Sequence, residues 1–316
     1  MTTILITGAA GMLGRKLAKR LAAQPGPAPT LVLHDIVAPE SPPGAQAICH
    51  ATDVSEPGAA AALLASRPDI IFHLAAVVSG EAEADFAKGY RINLDGTRNL
   101  LEAVRAVGGG YRPRLVFASS LAVFGAPLPD VIADDQALTP LSSYGTQKAL
   151  GELLVADYSR RGFIDGIGLR LPTVCVRPGK PNKAASGFYS GIIREPLNGQ
   201  TAVLPVPTDM RHWFASPRAA VGYLMHAGTL DLAALGPHRM LTMPGISASV
   251  AEQIAALRRV AGDGAVALIR HEPDPAVLAV VSTWPRAFDA ARALSLGFVP
   301  DAGFDEIIRV YQDDDL

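Results

Sequence analysis

Residues 2–21, TTILITGAAGMLGRKLAKRL, constrain this chain more than any other stretch. Ile4, Leu5 and Ile6 form a short apolar run that reads as a buried strand. Gly8, Gly11 and Gly14 follow at three-residue spacing, and from Met12 onward Leu13, Leu17 and Leu21 recur at helical spacing. A strand therefore turns through glycines into the first turn of a helix. Such a turn aims free backbone N–H groups and the positive helix end at one point, where a pyrophosphate fits. Gly8 permits the tight turn, Gly11 lets phosphate approach bare backbone, and Gly14 lets helix and strand pack closely.

The glycines gain meaning from their surroundings. A second apolar run, Leu31-Val32-Leu33, ends at Asp35. A carboxylate at that strand tip can accept hydrogen bonds from both hydroxyls of an adenosine ribose and repels a 2′-phosphate, which predicts NAD rather than NADP. After a Pro- and Gly-rich loop over residues 37–45, the strand Ala47-Ile48-Cys49 leads to Asp53-Val54 on the same edge. Asp53 either accepts from an adenine amino group or caps the helix that follows, over 57–66. The apolar run Ile70–Leu74 has the character of a central parallel strand. It ends in Ala75-Ala76, small enough to leave room for a dinucleotide. The next helix carries Tyr90, Asn93, Leu94, Thr97, Leu100, Leu101 and Val104 on its pattern. Asn93 is either a buried amide satisfied by backbone or part of a network on the cofactor side.

Leu115–Ala118 is a fifth strand running into Ser119-Ser120, followed by a loop over 125–140. A helix over 141–161, capped by Ser142 or Ser143, and a sixth strand, Ile167–Leu171, complete the alternation. Strand and helix alternating in this way predict an α/β fold, a Rossmann-type doubly wound parallel sheet, over residues 1–171. Beyond Pro172 the alternation breaks down. Strand-like pieces near 202–204, 212–214 and 239–241 and a helix near 248–261 predict a smaller substrate-binding lobe over 172–316, with some segments returning to the first domain. The acidic end, Asp313-Asp314-Asp315, reads as a solvated tail.

Bulk properties narrow the class. A chain of 316 residues with 49% apolar residues is not a disordered one, and a net charge of -2 predicts neither nucleic acid nor a membrane surface as partner. Two cysteines, Cys49 and Cys175, do not make a disulfide framework, and no charged region with an apolar signal precedes the first strand. Both observations predict a cytoplasmic location. No apolar run is long enough to span a bilayer. The seven histidines are scattered, so no metal is expected.

The chemistry rests on three side chains. Tyr144 and Lys148 lie four apart, one above the other on a helix face, and Ser120 lies at the C-terminal end of a central strand. The fold brings all three to the edge that carries the glycine turn. A phenol with an ordinary pKa of about 10 is a poor base near neutrality. A nearby ammonium and an oxidised nicotinamide ring favour its ionised form. The tyrosinate can then take a proton from a substrate hydroxyl while Ser120 holds the substrate oxygen and Lys148 also binds the nicotinamide ribose.

The pieces TGAAGMLG (7–14), HLAA (73–76), RINLDGTRNLLEA (91–103), FASSLAVFG (117–125) and YGTQK (144–148) together resemble an extended short-chain dehydrogenase/reductase of the epimerase/dehydratase branch. The resemblance implies a catalytic triad of Ser120, Tyr144 and Lys148. It also implies NAD contacts at Gly8, Gly11, Met12, Leu13, Gly14, Asp35, Asp53, Val54, Leu74, Ala75, Ala76, Asn93, Pro172, Thr173 and Val174. Phe124 stands where relatives often carry tyrosine. The stretches at 170–197 and 212–224 resemble sugar-acid dehydrogenases of that family, which oxidise a four-carbon sugar acid at C2 with NAD. Between Arg170 and Arg218 seven Lys or Arg face only Glu195 and Asp209, a local excess of +5 that suits an anionic substrate or is neutralised by acids elsewhere. Arg177 or Arg211, with Lys183, are the candidates to hold its carboxylate. The competing readings are a nucleotide-sugar epimerase or dehydratase with tightly bound NAD and a non-catalytic NAD(P)-sensing regulator. Many relatives form homodimers through the helices around 91–106 and 143–160, and a homodimer is expected.

Overall fold

The computed structural model describes residues 2–179 and 186–316. The chain begins β1 (Thr3–Thr7), α1 (Met12–Ala22), β2 (Thr30–Asp35), β3 (Gln46–Ala51), α2 (Ala59–Leu63), β4 (Ile70–His73), α3 (Ser79–Ala84) and α4 (Phe86–Gly89). A π-helical turn (Tyr90–Asp95) leads into α5 (Gly96–Val107), then β5 (Arg114–Ser120), α6 (Ser143–Arg160), β6 (Asp165–Leu171) and β7 (Thr173–Val174). The remainder is α7 (Gly187–Leu197), β8 (Ala202–Leu204), β9 (Arg211–Ala215), α8 (Pro217–Thr229), β10 (Met240–Thr242), β11 (Ile246–Ser249), α9 (Val250–Val266), β12 (Ile269–His271), α10 (Pro275–Val281), α11 (Ala291–Ser295) and α12 (Phe304–Asp315). These elements form two compact units. One comprises Met1–Ser120, Ser142–Arg170 and Val221–Leu241; the other comprises Leu121–Leu141, Leu171–Ala220 and Thr242–Leu316.

The first unit is built on a seven-stranded sheet in the order β10-β6-β5-β4-β1-β2-β3. β1 pairs in parallel with both β2 and β4, with Ile4 opposite Leu31 on one side and Ile70 on the other. Connections leave in opposite directions from β1 and β4, so a crevice opens beyond their C-terminal ends, the place where open α/β sheets bind ligands. Leu5, Val32, Ile71, Leu115 and Phe117 on the strands pack with Leu63, Leu100, Leu101, Val104 and Val155 from the covering helices. α6 lies close to β5: a Cβ at Gly151 would come within 2.6 Å of the Phe117 ring. Its N-terminus is doubly satisfied, because Ser142 Oγ accepts from Gly145 N at 3.1 Å and a Glu83 carboxylate oxygen accepts from Ser143 N at 2.9 Å. Ser142 rather than Ser143 is therefore the cap.

The second unit carries a three-stranded sheet, β11-β9-β7, and a two-stranded one, β12-β8. Phe214 on β9 is fully buried, with its ring 4.9 Å from that of Tyr189 and 5.5 Å from that of Phe304. Ser249 and Glu252 form a reciprocal capping box that starts α9.

Several expectations change here. The residues 239–241 belong not to a lobe sheet but to the edge of the main sheet, because β10 pairs beside β6. Residues 121–141 group with the second unit. The acidic end is no free tail: it is the last turn of α12, whose Ile307, Ile308, Val310 and Tyr311 are buried. Arg218 meets Asp314 at 2.7 Å and Asp313 at 3.4 Å, which offsets the like charges in that turn. Helices α7 and α8 had no sequence expectation, since Gly and Pro blur their periodicity.

The aromatic cluster makes a test of the second unit. Phe214→Ala is expected to cost about 3–5 kcal/mol in chemical denaturation. A cost under about 1 kcal/mol would show that the unit is held together elsewhere.

Candidate active site

The glycine turn has the geometry its spacing predicts. Gly8 adopts φ +78°, and a Cβ there would lie 2.7 Å from Ala75 N, just beyond β4. A Cβ at Gly14 would lie 2.2 Å from Gly8 O, and one at Gly11 3.2 Å from the same oxygen. Side chains are excluded at Gly8 and Gly14, so β1, α1 and the tip of β4 approach through backbone alone. α1 begins at Met12 and Leu13 with no side-chain cap on Gly11 and no acid in its first turn. An 11-residue helix thus presents uncompensated N–H groups and its positive end. This is a cradle that a pyrophosphate fits.

Asp35 closes one side. Its Oδ2 accepts from Ala10 N at 2.9 Å and its Oδ1 from Ile36 N at 2.7 Å, which holds the carboxylate beside the glycine turn. Each oxygen keeps lone-pair capacity for a ribose hydroxyl. Asp53 is otherwise engaged. Its Oδ1 accepts from the Ser55 backbone and hydroxyl at 2.9 and 2.6 Å, and its Oδ2 meets Arg91 at 2.6 Å. These bonds hold its carboxyl below the usual range against the opposing effect of burial. Asp53 does not cap the helix that follows, because α2 starts at Ala59 behind Gly58; its carboxylate instead anchors the local turn through Ser55 and Arg91. Val54 beside it is buried.

Leu74 N donates to Thr7 O at 3.0 Å, which aligns Leu74, Ala75 and Ala76 with the end of β1. Asn93 sits in the π-helical turn, 3% exposed, and is a satisfied amide. Its Oδ1 accepts from Val77 N at 2.9 Å and its Nδ2 donates to Val77 O at 3.2 Å and to Gln147 Oε1 at 2.7 Å. It ties the segment after β4 to α6, one residue before Lys148. His73 is buried between Thr7 and Thr97 at 2.7 and 2.9 Å, and burial lowers its pKa to about 3.

The catalytic candidates lie on β5 and α6. Ser120 is the last residue of β5 and Tyr144 is in the first turn of α6. Lys148 is 4% exposed. Its Nζ donates to Ala118 O at 2.8 Å, two residues before Ser120, and lies 5.7 Å from the Tyr144 ring centre and 5.0 Å from that of Phe117. Burial lowers its pKa to about 8, while the Glu152 carboxylate acts in the opposite direction. Glu152, which sequence reasoning passed over, accepts from Ser119 Oγ at 2.5 Å and is gripped by Arg170. The signal was present as an acid four residues beyond Lys148.

The remaining candidates belong to the second unit. Thr173 and Val174 follow Pro172 as the strand beside Phe214 and Ala215, and Thr173 Oγ1 lies 2.7 Å from His212 Nε2. His212 is buried, and burial lowers its pKa to about 4. Arg177 Nε donates to Val174 O at 3.1 Å, and its backbone is held by Ser190 and Arg194. Arg211 meets Glu252 at 2.8 Å and donates to Ser247 O at 3.0 Å. Lys183 lies outside the described residues. The basic excess is thus largely neutralised: Arg170, Arg194, Arg211 and Arg218 pair with Glu152, Glu195, Glu252 and the pair Asp313 and Asp314. Among the described residues no group of three His, Cys, Asp or Glu is placed to hold a metal ion, and no helix is long and apolar enough to cross a membrane.

Two substitutions test the cradle. Gly8→Ala combines a positive φ with a backbone clash and is expected to weaken NADH binding at least about tenfold, which fluorescence titration reads. Asp35→Ala should weaken NAD and improve NADP, so that the preference narrows by about 1–2 kcal/mol. An unchanged preference would remove Asp35 from the ribose.

Comparison with known proteins supports the same identification. Residues 4–215 match the NAD dependent epimerase/dehydratase family. A protein of Cupriavidus necator named D-erythronate dehydrogenase is 50% identical, with 98% of each chain covered. One of the same name from Haemophilus influenzae is 43% identical over 99% of each. A crystal structure from Agrobacterium tumefaciens, described as a nucleoside-diphosphate-sugar epimerase, superposes with a TM-score of 0.96 at 58% identity and covers 99% of this chain and 94% of its own. A GalE-like L-threonine dehydrogenase from Cupriavidus necator shares the fold at a TM-score of 0.87 and 22% identity, over 99% of both chains. With a glycine cradle shaped for a dinucleotide and relatives matched end to end, this chain belongs to the NAD dependent epimerase/dehydratase family.

Proposed function

We propose that the protein is an NAD-dependent dehydrogenase that oxidises a small sugar acid of the D-erythronate kind at C2 to the 2-oxo acid, with Tyr144 as general base. The observation that carries the reading is the buried Lys148 ammonium, held on the Ala118 carbonyl and 5.7 Å from the centre of the Tyr144 ring. The names of the 50% and 43% identical relatives supply the substrate class.

NAD, held by the glycine turn, the α1 N-terminus and Asp35, supplies the hydride acceptor. Ser120 orients the substrate hydroxyl. Tyr144 removes its proton, because a buried cation beside a phenol favours the phenolate. Lys148 holds that cation and donates to the nicotinamide ribose. In the reverse direction Tyr144 returns the proton as general acid. The substrate carboxylate is held by Arg177 or Arg211; Arg211 must share its guanidinium with Glu252 to do so.

The 58% identical structure described as an epimerase favours a second reading, in which NAD stays bound and a nucleotide sugar is turned over. One screen separates the two. NADH formation from free aldonic and uronic acids is expected, with four-carbon acids preferred. Absence of such turnover, together with conversion of a UDP-sugar, would establish the second reading instead. Tyr144→Phe is expected to lower kcat by about 10²–10⁴ with the fold intact. A variant with full activity would exclude the assigned base.

A further inference from the structure

In the first unit three arginines converge on one carboxylate, at the end of the strands away from the glycine turn. Arg114 opens β5 and Asp165 opens β6. β5 runs parallel to β4 and β4 to β1, so Arg114 stands at the opposite end of the sheet from Gly8, which follows β1. Ser120 is the last residue of β5, six residues on, or about 20 Å along the strand.

The three guanidinium groups are not used alike. Arg114 Nε and Nη2 donate to Asp165 Oδ2 at 3.1 and 2.8 Å, and its Nη1 donates to the Ala227 and Leu230 carbonyls at 2.9 and 2.8 Å. That side chain is spent on neutralising Asp165 and tying β5 to the end of α8. Arg239 gives Asp165 Oδ1 a single bond from Nη1 at 3.2 Å. Arg112 donates from Nε to Ile164 O at 3.3 Å, and its Nη2 lies 3.6 Å from the same Oδ1. A guanidinium carries five N–H donors, and among the described residues the others of Arg112 and Arg239 have no protein partner. Both groups approach one oxygen, so they sit side by side and repel each other. A structural ion pair with Asp165 needs only Arg114.

A cavity of about 410 Å³ opens onto this pair, walled by Arg112, Arg239, Asp165 and Asp231. Arg114 and the walls together carry three positive charges against two negative ones. We propose that this cavity is a second anion site, separate from the dinucleotide cradle, that takes the phosphate group of a small phosphate monoester between Arg112 and Arg239. A phosphate offers oxygens to both forks at once and cancels their repulsion. Asp165 holds the Arg239 fork in place before the ligand arrives. The volume is that of a small-molecule site and exceeds what a bare phosphate fills. Asp231 spends Oδ1 on Ala233 N at 3.0 Å, and its other oxygen remains to accept from a sugar hydroxyl. The site does not depend on the dehydrogenase reading, and either can fail without the other.

Isothermal titration calorimetry of the full chain at about pH 7.5, where a phosphate monoester is a dianion, tests it. Saturating NADH keeps the cradle occupied. Inorganic phosphate and ribose 5-phosphate are the two probes, and acetate at equal ionic strength is the control. One ribose 5-phosphate per chain is expected, with a Kd of about 1 mM or tighter. Arg112→Glu, at a half-exposed side chain, is expected to abolish binding, and Arg239→Gln to weaken it at least about tenfold. Arg160→Gln serves as the charge control, because Arg160 lines the adjoining cavity and is paired with Asp157 at 2.6 Å; it should bind as the parent does. Tighter binding of ribose 5-phosphate than of inorganic phosphate supports the monoester; equal binding overturns that assignment in favour of free phosphate. No heat from either probe at 10 mM overturns the site, as does acetate binding as well as phosphate. So does an affinity unchanged in Arg112→Glu, which decides alone if Arg239→Gln fails to fold.

Discussion

Burial of the Lys148 ammonium governs the arrangement of the first unit. A lone cation in a dry interior is unfavourable by several kcal/mol unless carbonyl and carboxylate oxygens receive it. The Ala118 carbonyl on β5 receives it at 2.8 Å, and the negative charge of Glu152, further along α6, favours the charged form. Those two demands fix α6 against β5, and Gly151 permits the approach because any side chain there would strike Phe117. Ser120 ends the strand that anchors the lysine, and Tyr144 begins the helix that carries it. Ser120 and Tyr144 are thus placed by the same contacts that make the charge tolerable.

A second constraint operates at the glycine turn. There the close approach of β1, α1 and the segment beyond β4 excludes side chains, and what remains is a surface of backbone N–H groups. The Asn93 amide links that segment to α6 through Gln147. The cradle and α6 are therefore connected by a buried hydrogen-bonded network, with the π-helical turn supplying the position from which Asn93 reaches both.

Much of this was legible in the residues. The strand–glycine–helix start, the run ending at Asp35, and Tyr144 four before Lys148 are local patterns, each with a local physical cause. What escaped has non-local causes. Glu152 drew no expectation, and Arg170 counted toward the basic lobe, because their pairing crosses from a helix to a strand 18 residues later. Arg211 and Arg218 contributed to an apparent basic lobe because their partners, Glu252 and Asp313 with Asp314, come much later in the chain. A strand near 239–241 and a return of some segments to the first domain were both expected, but three residues do not say that Met240–Thr242 is the segment that joins the main sheet's edge. Helices α7 and α8, interrupted by Pro and Gly, gave no clear period.

Where the hydrogen goes decides the reaction. With D-erythronate deuterated at C2 and stoichiometric NAD, the parent enzyme should transfer deuterium into the reduced cofactor and show a primary isotope effect on kcat/KM at low pH. Deuterium retained in the substrate with no net reduction of NAD would contradict it.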